Sequence, residues 1–193
     1  MSPLDVLNLV VSRLDKIGIQ YMVGGSFASS AHGVPRSTQD ADVVVDLKPE
    51  QIGEFVELFR HDFYVDAGQV KEAIWRKRSF NIIHLQAFFK IDLFVLSNRN
   101  FDREQFSRRE LQPVSGGTEG HVYVASAEDC VLSKLDWYRR GGGVSDTQWR
   151  DVIGVLKTQL GKVDFEYLRK WARELGVADL LERACREAGV EGA

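Results

Sequence analysis

The sequence predicts an α+β fold: a small mixed β-sheet with flanking helices, followed by a helical bundle. Three observations carry this expectation. Short β-forming runs alternate with amphipathic helical stretches over residues 1–125. From Ser126 onward every periodic segment has helical spacing. The chain has 193 residues, 44% of them apolar, enough for one sizeable core or for a core with a small appendage. The expected organisation is therefore a mixed part, 1–125, and an all-helical part, 126–193, that walls a cleft.

The elements follow in order. Ser2 and Pro3 read as an N-cap and first helical position, and Leu4, Leu7, Val11 and Leu14 recur at helical spacing until Gly18 stops the helix. Residues 19–23 form a short apolar run, expected as a buried strand, and Gly24-Gly25 breaks it. A short helix is expected over 26–32, with a turn at Gly33 and Pro35. Residues 41–45 are strongly β-forming. Pro49 opens a helix that ends near Arg60. A short strand at 64–65, a helix over 69–76 and strands over 80–85 and 87–96 come next. Residues 101–106 have no clear pattern, residues 115–120 form a Gly-rich loop, and 121–124 is a last short strand. Ser126-x-x-Asp129 has the form of a capping box and opens a helix through Trp137. Three glycines, Gly141 to Gly143, break the chain before Ser145-x-x-Gln148 caps a helix to about Leu160. Two more helices are expected over 165–175 and 178–188.

Composition narrows the function classes, although local basic patches leave a nucleic-acid partner open. The formal net charge is -3 and the pI about 5.8, so no global basic signature announces a nucleic-acid partner. Cys130 and Cys185 sit inside helical apolar patterns, read as reduced, small apolar residues, and no Cys/His cluster has zinc spacing. The first 19 residues have no uninterrupted signal-peptide core, and no charge-free stretch is long enough to span a bilayer. A cytoplasmic protein is expected.

The chemically informative stretch is 23–46, V-G-G-S-F-A-S-S-A-H-G-V-P-R-S-T-Q-D-A-D-V-V-V-D. In a strand, Asp40 and Asp42 share a face, while Ala41, Val43 and Val45 share the other. Two adjacent carboxylates repel unless a cation lies with them, and Mg²⁺ prefers hard oxygen ligands of this kind. Gly24-Gly25-Ser26 follows a strand and opens a helix. Glycine lets backbone approach a ligand closely, the helix start offers free N–H groups and a positive dipole end, and Ser26 adds a hydroxyl. The arrangement suits the β- and γ-phosphates of a triphosphate but is no Walker loop, because no Lys-Ser/Thr follows at the required spacing. Asp92 is an acid inside the apolar run Lys90-Ile91-Asp92-Leu93-Phe94. If its strand lies beside that of Asp40 and Asp42, the three form one site, and two metal ions about 3.5–4 Å apart could activate a hydroxyl and stabilise leaving pyrophosphate.

Gly-Gly-Ser, a short helix, Asp-x-Asp and a later strand Asp together resemble the DNA polymerase β nucleotidyltransferase superfamily, with the strongest likeness to small bacterial and archaeal members related to the AbiEii-type toxins. Those relatives tend to carry a segment like residues 32–38, H-G-V-P-R-S-T, a helix like residues 127–135, an Arg/Gly-rich loop and an Asp such as Asp151. The resemblance covers most of residues 20–157. It implies a nucleotidyltransferase-type sheet, and a metal-dependent enzyme that moves NMP from an NTP to a hydroxyl or phosphate acceptor and releases pyrophosphate. It implies that Gly24, Gly25 and Ser26 hold triphosphate, that Asp40, Asp42 and Asp92 hold Mg²⁺ at a two-ion site, with Mn²⁺ as an alternative, and that Asp92 is the base. Lys134 and Asp151 would line the nucleotide cleft, with Arg36 as a second phosphate clamp. The acceptor is open: RNA or tRNA, a protein or a small molecule, with a cognate antitoxin-like protein as a partner of the toxin branch. The helices after residue 126 are few, so the acceptor-binding part is smaller than in larger toxin relatives.

Plainer readings stand beside these. Asp92 is alternatively a structural acid paired with Lys90 or an arginine. Lys134 and Asp151 alternatively form an interhelical salt bridge, and Arg36 pairs with Asp40 or Asp42. Asp46 is read as a strand terminator or cap, and His32 as a hydrogen-bonded helix-end residue. Trp75, Trp137, Trp149 and Trp171 are expected mostly in the core, and Arg76-Lys77-Arg78 in a solvated turn. Arg139-Arg140, beside the three glycines, suits a loop that meets phosphates or an RNA acceptor as well as it suits solvent. The competing function is a catalytically silent nucleotide-binding or toxin–antitoxin interaction module.

Overall fold

The computed structural model describes residues 1–113 and 121–190. In chain order the elements are α1 (Pro3–Lys16), β1 (Tyr21–Val23), α2 (Gly25–His32), β2 (Asp40–Val45), a 3-10 turn (Pro49–Gln51), α3 (Ile52–Phe59), β3 (Phe63–Tyr64), α4 (Ala67–Arg76), β4 (Ser79–His84), β5 (Lys90–Val95), α5 (Asn100–Ser107), β6 (Glu110–Pro113), β7 (His121–Val124), α6 (Ala127–Arg140), α7 (Asp146–Thr158), α8 (Phe165–Glu174) and α9 (Ala178–Ala188). They divide into two compact units. Met1–Gly24 and Thr38–Val124 form a sheet unit, and Gly25–Ser37 and Ala125–Ala193 form a helical unit.

The sheet unit is built on one mixed sheet of seven strands in the order β3-β4-β5-β2-β1-β7-β6. β2 runs parallel to β5 and antiparallel to β1, and β1 is parallel to β7. Alternation decides which face is dry. Ala41, Val43 and Val45 on β2, Ile91, Leu93 and Val95 on β5, and Phe80 and Ile82 on β4 are all buried, while the residues between them are half-open. Phe55 of α3 meets Phe80 edge-on at 5.7 Å, so this helix seats on the apolar face. Phe59 and Phe63 continue the aromatic cluster. Arg13 of α1 lies over both rings and pairs bidentately with Asp62 at 2.6 and 2.7 Å, which ties α1 to the same layer. α1 starts with a capping box between Ser2 and Asp5 and is ended by Gly18 at φ 67°.

The helical unit packs α2 with α6 and α7, and α8 and α9 complete it. Gly33 explains how closely α2 approaches α7. A Cβ there would lie 2.9 Å from the Ser29 carbonyl oxygen and 2.9 Å from the Val155 nitrogen, both backbone atoms that cannot swing aside. Gly154 on α7 answers it, with Val34 in van der Waals contact where its side chain would be. His32 closes α2: its Nε2 lies 2.7 Å from the Ala125 carbonyl, which can only accept, so the proton is on Nε2. Gln159 donates to the His32 carbonyl at 2.8 Å. Ser126, Ser145 and Asp164 cap α6, α7 and α8, as short polar side chains do. Tyr167 donates to Asp129 at 2.6 Å, and Glu128 accepts from the Asp164 N–H at 2.9 Å, joining α6 to α8.

Several details differ from the sequence reading. Residues 101–106, without a clear pattern, lie in α5, a polar helix that buries Phe101, Gln105 and Phe106. β6 was not expected: its Glu110, Leu111 and Pro113 are exposed, so an edge strand shows no apolar alternation. The strand expected over 87–96 begins only at Lys90, because Phe88 turns the hairpin at φ 52°. Trp75 and Trp137 are exposed rather than core. Each stands one residue, about 100° of helix rotation, from the buried stripe containing Ile74 or Asp136 and Tyr138. Trp171 is buried, as expected. Arg76, Lys77 and Arg78 are exposed where Lys77 ends α4 in the left-handed region. The Gly-rich segment 115–120 lies outside the described residues. Among those residues no helix is long and apolar enough to cross a membrane.

Candidate active site

The half-open face of the sheet unit carries the carboxylates. β2 and β5 pair in parallel with Asp40 opposite Lys90 and Asp42 opposite Asp92. In-register partners on paired strands point the same way. Asp40, Asp42, Lys90 and Asp92 therefore stand on one face, with Ala41, Val43, Ile91 and Leu93 buried beneath. β4 adds Asn81 opposite Asp92, and Gly24 donates its N–H to the Asp42 carbonyl at 2.8 Å. A row across the sheet reads Asn81, Asp92, Asp42, Gly24. Thr38 supports Asp40, its hydroxyl 3.0 Å from the Asp40 carbonyl and 3.2 Å from Oδ1.

Three carboxylates in neighbouring positions need positive charge, and Lys90 supplies one. Its ammonium lies 2.6 Å from Asp92 Oδ2 and 3.7 Å from Asp40 Oδ2. It is held above its ordinary pKa range, chiefly by the hydrogen bond to Asp92, while desolvation opposes and the charges of Asp92, Asp40 and Asp42 add. The pairing of Asp92 with Lys90 is one of the plainer readings of the sequence, and it is present. Among the described residues, no three His, Cys, Asp or Glu side chains converge as a metal-binding group in their present positions. The donor chemistry nevertheless fits a hard divalent cation: carboxylate oxygens are offered from adjacent strands in register, and the group nearest them is already a cation.

The second set of predicted residues lies in the helical unit. Gly25 begins α2 with φ 52°, a conformation an L-residue adopts only under strain, which is the physical reason for a glycine there. Ser26 follows in the first turn. Its hydroxyl is a hydrogen-bond partner of the Arg36 guanidinium. Arg36 also clasps Asp151, Nε to Oδ1 at 3.0 Å and Nη2 to Oδ2 at 3.1 Å. Lys134 reaches Asp151 Oδ2 at 2.8 Å and Gln148 Oε1 at 3.0 Å, and Ser29 donates to Asp151 at 3.2 Å. The Lys134 and Asp151 side chains are only 5% and 7% exposed, so this is a buried, well-satisfied network. Burial alone pushes the Asp151 carboxyl up. Hydrogen bonds from Arg36 and Lys134, and their charges, outweigh it and hold the acid below its ordinary value of 3.8.

The structure thus brings Asp40, Asp42 and Asp92 together on one face, and Ser26, Arg36, Lys134 and Asp151 together in one network. Arg36 pairs with Asp151 rather than with an acid of β2. The interhelical bridge between Lys134 and Asp151, the plainer reading of that pair, is present. Asp46 follows the last residue of β2 and pairs with Lys48 at 2.7 Å. Sequence reasoning missed Asn81, Ser29 and Gln148. The parity of β4 could have found Asn81, and the i, i+3 spacing of Gln148 and Asp151 on α7 could have found Gln148. Cys130 is buried and its thiol is pushed up to about 12 by that burial, so it is no nucleophile.

No family model matches the sequence, and no curated protein does. Solved structures do. The chain is similar to an antigenic nucleotidyltransferase-like protein from Paracoccidioides brasiliensis, at 19% identity and a TM-score of 0.58, over 95% of this chain and 92% of that one. It is similar to the antibiotic-resistance factor ANT(2'')-Ia in solution, at 15% identity and a TM-score of 0.55, over 93% of this chain and 96% of the other. A crystal structure of ANT(2'')-Ia in complex with adenylyl-2''-tobramycin matches at 11% identity and a TM-score of 0.51, over 90% and 96% of the two chains. At these identities the likeness is one of fold, and the fold of this chain is that of nucleotidyltransferases.

Proposed function

We propose that this protein transfers a nucleotidyl group from a nucleoside triphosphate to a hydroxyl of an acceptor molecule. The observation that carries the reading is the register of β2 and β5, which sets Asp42 beside Asp92 with Asp40 on the same face. In this reading Asp40, Asp42 and Asp92 hold Mg²⁺, or Mn²⁺ in its place, which supplies Lewis-acid polarisation of the phosphoryl oxygens when bound. The α2 start at Gly25 and Ser26 offers backbone N–H groups and a hydroxyl to the triphosphate, and Gly24, which has no side chain, leaves room for its approach. Arg36 and Lys134 add positive charge to nucleotide binding, and Asp151 orients both.

The reaction balances simply. The acceptor oxygen forms a bond to the α-phosphorus, the bond from that phosphorus to the bridging oxygen of the β-phosphate breaks, and pyrophosphate leaves. Asp92 takes the acceptor proton and passes it to solvent, the role of a general base. The Lys90 ammonium lies 2.6 Å from Asp92 Oδ2, so it must give up that contact before this oxygen can take the acceptor proton.

Two of the matched structures are of an antibiotic-resistance factor, one of them in complex with adenylyl-2''-tobramycin, which favours a small polyhydroxylated acceptor as the first class to test. The sequence likeness to AbiEii-type toxins makes tRNA the second. The test incubates the protein and Mg²⁺ with each α-labelled triphosphate in turn, against an aminoglycoside panel and against total RNA plus cell extract, with Asp42→Ala as the control. Label on one acceptor, lost in the variant, supports the reading and names both substrates. Triphosphate binding without transfer to any acceptor favours a silent nucleotide-binding module, and neither binding nor transfer rejects the proposal.

A further inference from the structure

We propose that Lys90 is a built-in counter-cation, which holds the carboxylate face together until a divalent ion displaces its ammonium. The inference rests on the reading of Asp40, Asp42 and Asp92 as metal ligands. Lys90 sits opposite Asp40 in the β2–β5 register and two residues before Asp92, so its stem rises from the same row of side chains. Its ammonium bridges two of the three acids, at 2.6 Å from Asp92 and 3.7 Å from Asp40.

An ammonium and a hard divalent ion seek the same partners, anionic oxygens, and each repels the other. The two cannot share Asp92 Oδ2 at full strength. Lys90 is built to yield. Its side chain is 40% exposed, and its flexible four-carbon stem lets the charge swing into water without unpacking anything buried. A plain surface salt bridge needs one acid and contributes little. Here one ammonium bridges two acids of the same row. A divalent ion, with twice the charge, suits such a row better than a lysine does. Lys90 thus limits repulsion in the metal-free protein and sets a threshold that the metal must exceed.

Mn²⁺ binding without nucleotide, followed by calorimetry and by the Mn²⁺ electron paramagnetic resonance signal, tests this. Lys90→Gln should bind about tenfold tighter than the wild type, because one repelling charge is gone. Lys90→Arg, which keeps the charge, and Lys48→Gln, which removes a lysine paired with Asp46, should stay within about twofold. In the wild-type protein, added Mn²⁺ should speed acetylation of the Lys90 amine severalfold by mass spectrometry and leave Lys48 unchanged. This second measurement stands if Lys90→Gln fails to fold. A wild type that binds Mn²⁺, with Lys90→Gln no tighter or the acetylation rate of Lys90 unmoved, overturns the role of Lys90 alone. No Mn²⁺ binding by wild type or Lys90→Gln overturns it together with the metal reading.

Discussion

The two units carry their charges in opposite ways. In the sheet unit, Asp40 and Lys90 are 43% and 40% exposed, and one ammonium serves several acids. In the helical unit, Lys134 and Asp151 are 5% and 7% exposed, and Asp151 accepts from Arg36, Lys134 and Ser29 at once. The first group is open to water. The second is closed. An open group can take up a ligand at little structural cost, whereas a closed one holds backbone in place. Substitutions on the carboxylate face should therefore cost activity with little stability, and those in the buried network should cost stability as well as nucleotide binding.

The largest effect should be on the reaction. Asp92→Asn should lower nucleotidyl transfer by about 10²–10⁴-fold, the range for loss of a general base. Its melting temperature should stay near that of the wild type, since the Lys90 pair it loses is partly open to water and contributes little. A variant that instead unfolds would make the acid structural and erase the contrast.

Lys134→Met should cost stability as well as nucleotide binding. Removing one partner of a buried ion pair costs about 3–5 kcal/mol, and the remaining contact from Arg36 should keep the loss near the lower end, about 3 kcal/mol by urea denaturation. The acid side of this pair gives a pH signature. The Asp151 carboxyl is lowered in the folded protein, so its stabilising contribution is fully present above the ordinary value of 3.8 and is lost as pH falls through the folded value. The penalty of Asp151→Asn should thus be largest near neutral pH and shrink at the acid end of a denaturation series. A penalty independent of pH would mean that charge is not what Asp151 contributes.

Gly33→Ala comes next, at about 1–3 kcal/mol, because the added methyl meets backbone of α2 and α7 rather than a side chain that can move. The smallest effect should be Ser2→Ala, about 1 kcal/mol for loss of the α1 cap, with transfer unchanged. A melt of the two variants side by side checks both. A Gly33→Ala protein as stable as Ser2→Ala would show that the close approach of the two helices relaxes freely.

Much of this contrast was legible in the sequence, and the illegible part has physical causes. The carboxylate face follows from parity within β2 and β5, a local property, so Asp40, Asp42 and Asp92 could be named from spacing alone. What parity does not give is which strands are neighbours. The register that sets Asp42 against Asp92, and Asn81 beside them, exists only once the sheet is assembled. The helical caps at Ser2, Ser126 and Ser145 were readable because capping is local. The grouping of Gly25–Ser37 with the helices after Ala125 was not, because it depends on long-range partners such as Arg36 with Asp151. β6 was missed because both its faces are wet, and α5 because its polar surface hides a buried side of few residues.

The most direct test of the central claim compares α-labelled and γ-labelled triphosphate in parallel reactions with the identified acceptor. Nucleotidyl transfer predicts that the α-label becomes covalently attached to the acceptor while the γ-label is released in pyrophosphate, and that Asp42→Ala abolishes both. Attachment of the γ-label, or its release as inorganic phosphate with no α-label on the acceptor, would contradict the account.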